Sequence, residues 1–157
     1  MTQEARKRRL QDTLIISGTG VLAFSIWTLA KTALVLALID ERMLLSVVFI
    51  EAGIPLSVFY LVIGLLLLID ISARAFVGVS ARAEGNGKKK GNAYLVVAVL
   101  AALGNALTAI VVMSGAISTL TVLDVVVAAA IELTSLAALA MVVYCAISLR
   151  RMGRATG

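Results

Sequence analysis

Residues 93–118 read AYLVVAVLAALGNALTAIVVMSGAIS, a long run without one charged side chain. About 20 consecutive apolar residues are enough for a helix to cross the hydrocarbon core of a bilayer. Comparable apolar runs occupy residues 14–39, 43–69 and 122–149. A barrel strand needs only about ten residues of alternating polarity, so these runs are too long for strands. The sequence therefore predicts an all-α polytopic membrane protein with a bundle of four transmembrane helices.

The composition agrees with this class. Of the 157 residues, 61% are hydrophobic and only 15% are charged, and the mean hydropathy is +1.06. A water-soluble domain carries about 25% charged residues. The length is that of one domain, which we divide into an N-terminal segment 1–12, a transmembrane domain 13–149 and a tail 150–157.

The net charge of +5 is distributed unevenly along the chain. Twelve basic residues precede the first run, lie between the second and third, or follow the fourth, whereas only Arg42 lies in the turns on the other side. Cytoplasmic connections of membrane proteins carry such an excess. We therefore expect a multi-pass protein of the cell inner membrane with both termini and the loop 72–92 in the cytoplasm. The same distribution argues against a nucleic-acid partner.

The basic loop also predicts contacts with lipid. Basic side chains near the surface are attracted to anionic headgroups. The candidate residues for headgroup contact are Arg74, Arg82, Lys88, Lys89 and Lys90.

The short connections on the other side join the runs into two antiparallel hairpins. A shift of about eighty positions brings Arg8-Arg9 onto Lys88-Lys89. With one further residue of shift, Ile50-Glu51 falls on Ile131-Glu132. This weak similarity predicts a tandem repeat with an axis along the membrane normal. We also expect the first half of the loop 72–92 to extend the second helix.

Three ionisable residues interrupt the apolar runs: Lys31, Glu51 and Glu132. A charge at the centre of a membrane helix costs about 2.5–3.5 kcal/mol. At a helical rise of 1.5 Å per residue, all three lie about 12–14 Å below the outer surface. Asn105 and Thr108 of the third run fall close to the same level. The sequence thus predicts a layer of charged and polar groups inside the bundle.

This layer has two interpretations. One lysine cannot neutralise two carboxylates, so a glutamate can hold a proton or a cation, as in a coupled transporter. Pro55, four residues after Glu51, would free the Glu51 carbonyl for ion coordination or would simply kink the helix. In the second interpretation, a Lys–Glu pair fixes helix packing and the other glutamate is protonated or paired across an oligomer.

The small and polar faces of the helices are expected to point inward, because such faces pack against each other in membranes. On the first helix this face consists of Ser17, Gly20, Phe24, Thr28 and Lys31.

The chain contains no histidine and only one cysteine, Cys145. Histidine-based acid–base chemistry, haem ligation and most zinc sites are therefore not expected, and we predict no catalytic residues, metal or cofactor. The leading hypothesis is a small, non-enzymatic transporter or channel-like protein. The alternative is an accessory or assembly subunit of a larger membrane complex. In either case we expect a homo-oligomer or a partner membrane subunit.

Overall fold

The computed structural model describes residues 3–38, 56–114 and 122–155. These residues form four helices: α1 (Gln3–Leu38), α2 (Leu56–Gly85), α3 (Ala93–Met113) and α4 (Val122–Ala155). Each of them is long and apolar enough to cross a membrane, and the described part of the chain has no strand. The predicted all-α class with four membrane-spanning helices is confirmed.

The helices pack as an antiparallel ring. Neighbours in the chain contact each other, and α4 returns to pack on α1, while α2 and α4 touch only slightly across the diagonal. The expected extension of the second helix is present, because α2 continues to Gly85.

Glycines allow α1 and α2 to approach closely. A Cβ atom on Gly78 would lie 2.7 Å from the Gly18 carbonyl oxygen and 2.6 Å from Leu22 Cγ. About two turns further along the helix, a Cβ on Gly85 would lie 2.6 Å from Ile15 Cγ1. Small residues at helix contacts are characteristic of membrane proteins, where packing must come from close backbone approach.

The packed core lies in the half of the bundle that contains the start of α1 and the end of α4. Each helix contributes fully buried side chains to it, among them Leu14, Val77, Tyr94 and Leu139. By contrast, leucines on the outer faces are largely exposed: Leu68 is 65% and Leu107 64% accessible. Apolar side chains that cover the outside of a helix bundle are suited to contact with lipid tails.

An ion pair and a short loop hold this end of the bundle together. Arg150 donates from Nε to Glu84 Oε1 at 2.7 Å and from Nη2 to Glu84 Oε2 at 2.8 Å. The Tyr94 hydroxyl donates to the same carboxylate at 2.6 Å, and the guanidinium lies 5.7 Å from the centre of the Tyr94 ring. Arg150 Nη1 also donates to Asn92 Oδ1. We refer to Glu84, Tyr94, Asn92 and Arg150 as the terminal clamp.

The loop between α2 and α3 begins with a tight helix end. The Gly87 amide donates to the Glu84 carbonyl, and the Lys88 amide donates to the Ala83 carbonyl, both at 3.0 Å. Gly87 has a φ of 83°, the left-handed conformation that a Schellman ending requires and that glycine adopts without cost. The turn reverses the chain so that residues 88–91 run beside the end of α4.

Candidate functional site

A buried arginine connects three helices. Arg74 of α2 is only 6% exposed. Its Nε donates to Asp70 Oδ2 at 2.8 Å, its Nη1 to Ser135 Oγ at 2.8 Å and its Nη2 to Asn105 Oδ1 at 2.7 Å. Asn105 Nδ2 in turn donates to Ser135 Oγ at 2.8 Å. We refer to Arg74, Asp70, Asn105 and Ser135 as the polar cluster.

The helices themselves dictate this geometry. Asp70 and Arg74 are one turn apart on α2, where side chains four residues apart face each other. Asn105 and Ser135 approach Arg74 from α3 and α4, and both are buried. The planar guanidinium has donors pointing in several directions, so it can serve three acceptors at once. Among the described residues, no buried side-chain nitrogen or oxygen lacks a hydrogen-bond partner.

The cluster lies deep along the helices. At 1.5 Å per residue, Arg74 is about 16 Å before the Gly85 end of α2 and Asn105 is about 18 Å after the Ala93 start of α3. Half of a hydrocarbon core is about 15 Å. The polar cluster is therefore separated from the helix ends that carry the terminal clamp by about the thickness of half a hydrocarbon core.

A cavity of about 710 Å³ adjoins the polar cluster. All four helices line it, and its polar walls are formed by Asp70, Arg74, Asn105, Thr108 and Glu132. Asp70 keeps 35% of its side chain accessible, and only its Oδ2 atom is bonded to Arg74. Glu132 is half-buried and lies one turn before Ser135 on α4. With Thr28 of α1, which also lines the cavity, two carboxylates, an amide and two hydroxyls are presented to one space between the helices.

This set of groups fits some ligands better than others. A carboxylate can accept a proton, and carboxylate and amide oxygens can coordinate a small cation. Each nitrogen of the Arg74 guanidinium already donates to an acceptor, which makes it a poor anion site. Within residues 3–38, 56–114 and 122–155, no three His, Cys, Asp or Glu side chains are grouped closely enough to hold a metal ion.

The structure brings together three of the residues predicted for the charged layer. Glu132, Asn105 and Thr108 all line the cavity, and the Thr108 hydroxyl donates to the Gly104 carbonyl at 3.1 Å. Lys31 belongs to α1, but its side chain lies outside the described residues, as do Glu51 and Pro55 entirely. The layer with Lys31 and Glu51 therefore stays a prediction.

Arg74 requires a correction. The sequence placed it in a cytoplasmic loop as a contact for lipid headgroups, but the structure buries it in the bundle at the level of Asn105 and Ser135. The other basic candidates differ from it: Arg82, Lys88, Lys89 and Lys90 are exposed. Asp70 and Ser135 were not predicted as part of the site with Arg74.

The inward face of α1 is also rotated relative to the expectation. The buried positions are Leu14, Gly18, Val21 and Ser25. The last three each lie one residue after a predicted inward position. One residue corresponds to about 100° around a helix. Ser17, Gly20, Phe24 and Thr28 lie half-buried at the side of this face, and Thr28 also lines the cavity.

Comparisons with known proteins do not add a family to this picture. No protein-family model matches the chain, and neither the curated proteins nor the solved structures contain a significant match. Residues 3–38, 56–114 and 122–155 contain four helices that are long and apolar enough to cross a bilayer, and any function must be argued from the residues of the site.

Proposed function

We propose that this chain is a small, non-enzymatic inner-membrane transporter or channel-like protein that binds a proton or a small cation in the cavity beside the polar cluster. The observation that supports this most directly is the pair of carboxylates, Asp70 and Glu132, on the walls of one cavity at mid-bundle. Arg74 offsets the charge of Asp70 through their 2.8 Å ion pair. Within the described part of the chain, no basic side chain pairs with Glu132 in the same way.

An unbalanced charge at this depth is costly, at about 2.5–3.5 kcal/mol. Among the described residues, no hydrogen-bond donor reaches the Glu132 carboxylate. A proton or a small cation that enters the cavity would remove the cost, and its departure would restore it. Such exchange at a half-buried carboxylate is the basic step of proton- or cation-coupled transport.

The proposal includes an orientation. The basic ends of the helices would face the cytoplasm, following the positive-inside rule, and both termini would be cytoplasmic. The working form would be a homo-oligomer or a complex with another membrane subunit.

Flux measurements in liposomes test this function. Wild-type protein is reconstituted, a pH gradient or a Na⁺ or K⁺ gradient is imposed, and flux is followed with an enclosed dye. We expect Glu132→Gln to reduce flux at least tenfold with an unchanged melting temperature. Glu4→Gln is the matched control, because it makes the same chemical change at an exposed position of α1. Glu51→Gln tests the sequence-based layer in the same assay.

The polar cluster itself favours a second function. All three nitrogens of the Arg74 guanidinium are bonded to acceptors on three helices, as expected of a group that fixes packing in an accessory or assembly subunit. This function predicts no wild-type flux under any gradient, together with a loss of stability or of a co-purifying membrane protein when Glu132 or Arg74 is replaced. Equal flux in Glu132→Gln and wild type would also reject the transport proposal.

A further inference from the structure

A second cavity, of about 440 Å³, lies at the end of the bundle beside the terminal clamp. Four parts of the chain form it: the start of α1, the end of α2 with Glu84, the loop after α2 and the end of α4. The basic residues on its walls are Lys7, Lys88, Lys89, Lys90 and Arg150. We refer to this cavity as the basic pocket.

Arg150 and the lysines have different roles here. The guanidinium of Arg150 is occupied, because it donates to both oxygens of Glu84, to Asn92 and to the carbonyls of Lys90 and Gly91 at 3.0 and 3.1 Å. These last two bonds fix the loop against α4. Arg150 is thus a positioning residue, and its charge is offset by that of Glu84.

The four lysines remain without such compensation. Each is exposed, and among the described residues none of their ammonium groups forms an ion pair with a carboxylate. The Schellman ending at Gly87 and the bonds from Arg150 hold three of them on one wall, while Lys7 reaches the same space from α1. Like charges held together repel each other, so an anion that contacts several of the lysines reduces the repulsion between their ammonium groups.

We infer that the basic pocket binds a phosphate group, with Lys7, Lys88, Lys89 and Lys90 as its ligands. Ammonium groups on flexible stems contact phosphate oxygens as point charges. The pocket opens at the end of the bundle where the membrane surface is expected, so the phosphate of an anionic lipid headgroup can reach it. A soluble phosphate compound would present the same chemistry. This site is independent of the transport proposal, because it lies at the Gly85 end of α2, shares no lining residue with the carboxylate-lined cavity at mid-bundle and needs no flux.

Native mass spectrometry of the detergent-solubilised full chain measures this binding. Phosphatidylglycerol, phosphatidylcholine and inorganic pyrophosphate are titrated separately, and the bound fraction gives an apparent Kd. We expect phosphatidylglycerol to bind with a stoichiometry of one tight site. In the double variant Lys7→Gln/Lys89→Gln, its affinity should fall about 30-fold, from the usual contribution of a basic side chain at a membrane surface.

The control is Arg8→Gln/Arg151→Gln, which removes the same charge from exposed positions of the same two ends that do not line the pocket. It should keep the affinity within about threefold. Melting temperatures without added lipid show whether both variants fold. If pyrophosphate binds at the same lysines and displaces phosphatidylglycerol, the ligand is a soluble phosphate compound; if it does not, the ligand is a headgroup. Equal losses in the two double variants, or equal binding of phosphatidylcholine, would overturn the inference.

Discussion

Replacement of Arg74 by methionine should destabilise the bundle measurably. The substitution removes the three hydrogen bonds to Asp70, Asn105 and Ser135. Hydrogen bonds between membrane helices contribute about 0.6 kcal/mol on average and at most about 1.7 kcal/mol. Three of them give about 2 kcal/mol, with about 5 kcal/mol as the upper limit. Asn105 and Ser135 keep their mutual bond, so we expect a value near the lower figure.

The free energy of unfolding can be measured by titrating micelles of the protein with a denaturing detergent and following the fluorescence of Trp27, the single tryptophan. Arg82→Met is the matched control, because Arg82 is an exposed arginine of the same helix and surface substitutions usually change stability by less than about 0.5 kcal/mol. Arg74→Met/Asp70→Asn should be more stable than Arg74→Met alone, since the second change removes the carboxylate left without its partner. The reasoning fails if Arg74→Met is as stable as Arg82→Met.

Two other contacts make comparable predictions. Gly78→Leu should lower the free energy of unfolding by about 1–3 kcal/mol through overpacking, because a Cβ there meets the Gly18 carbonyl oxygen at 2.7 Å. Gly64→Leu is the control in the same unfolding assay, since a Cβ at Gly64 of the same helix meets nothing within 4 Å. Equal effects of the two substitutions would contradict the close approach of α1 and α2. Arg150→Met should lower the free energy of unfolding by about 1.5–3 kcal/mol, because it removes the charge-assisted bonds to Glu84. The effect is measured as a lower melting temperature than that of Arg151→Met. Equal melting temperatures would show that the terminal clamp adds no stability.

The helical class could be predicted because it depends on a local property. Hydropathy over about 20 residues decides whether a segment can leave water, and the four helices found in the described residues satisfy it. Where each membrane span begins and ends along its helix depends on more than hydropathy. The predicted second span ended at Ile69 because Asp70 and Arg74 follow it, and two charges so close together are typical of an interface.

The local sequence nevertheless indicates that the second span continues beyond Asp70. Asp70 and Arg74 are spaced to pair on one helix face, and residues 75–81, AFVGVSA, are uncharged and continue the span. What no local pattern shows is which residues of later helices meet the arginine. The bonds to Asn105 and Ser135 join positions 31 and 61 residues away in the chain, and Arg150 and Glu84 are 66 residues apart. The same limit explains the rotation of α1, whose face is set by Gly78 and Gly85 of α2.

The ion pair within α2 has a consequence for the order in which the protein is made. Asp70 and Arg74 can neutralise each other as soon as α2 is helical, before the ribosome has synthesised α3 and α4. The helix can therefore enter the bilayer with its arginine already paired with a carboxylate. The remaining guanidinium donors find their acceptors only when α3 and α4 have formed. Asn105 and Ser135 then give the late-arriving helices one specific place to dock, so the same side chain that is tolerated during insertion also selects the final assembly.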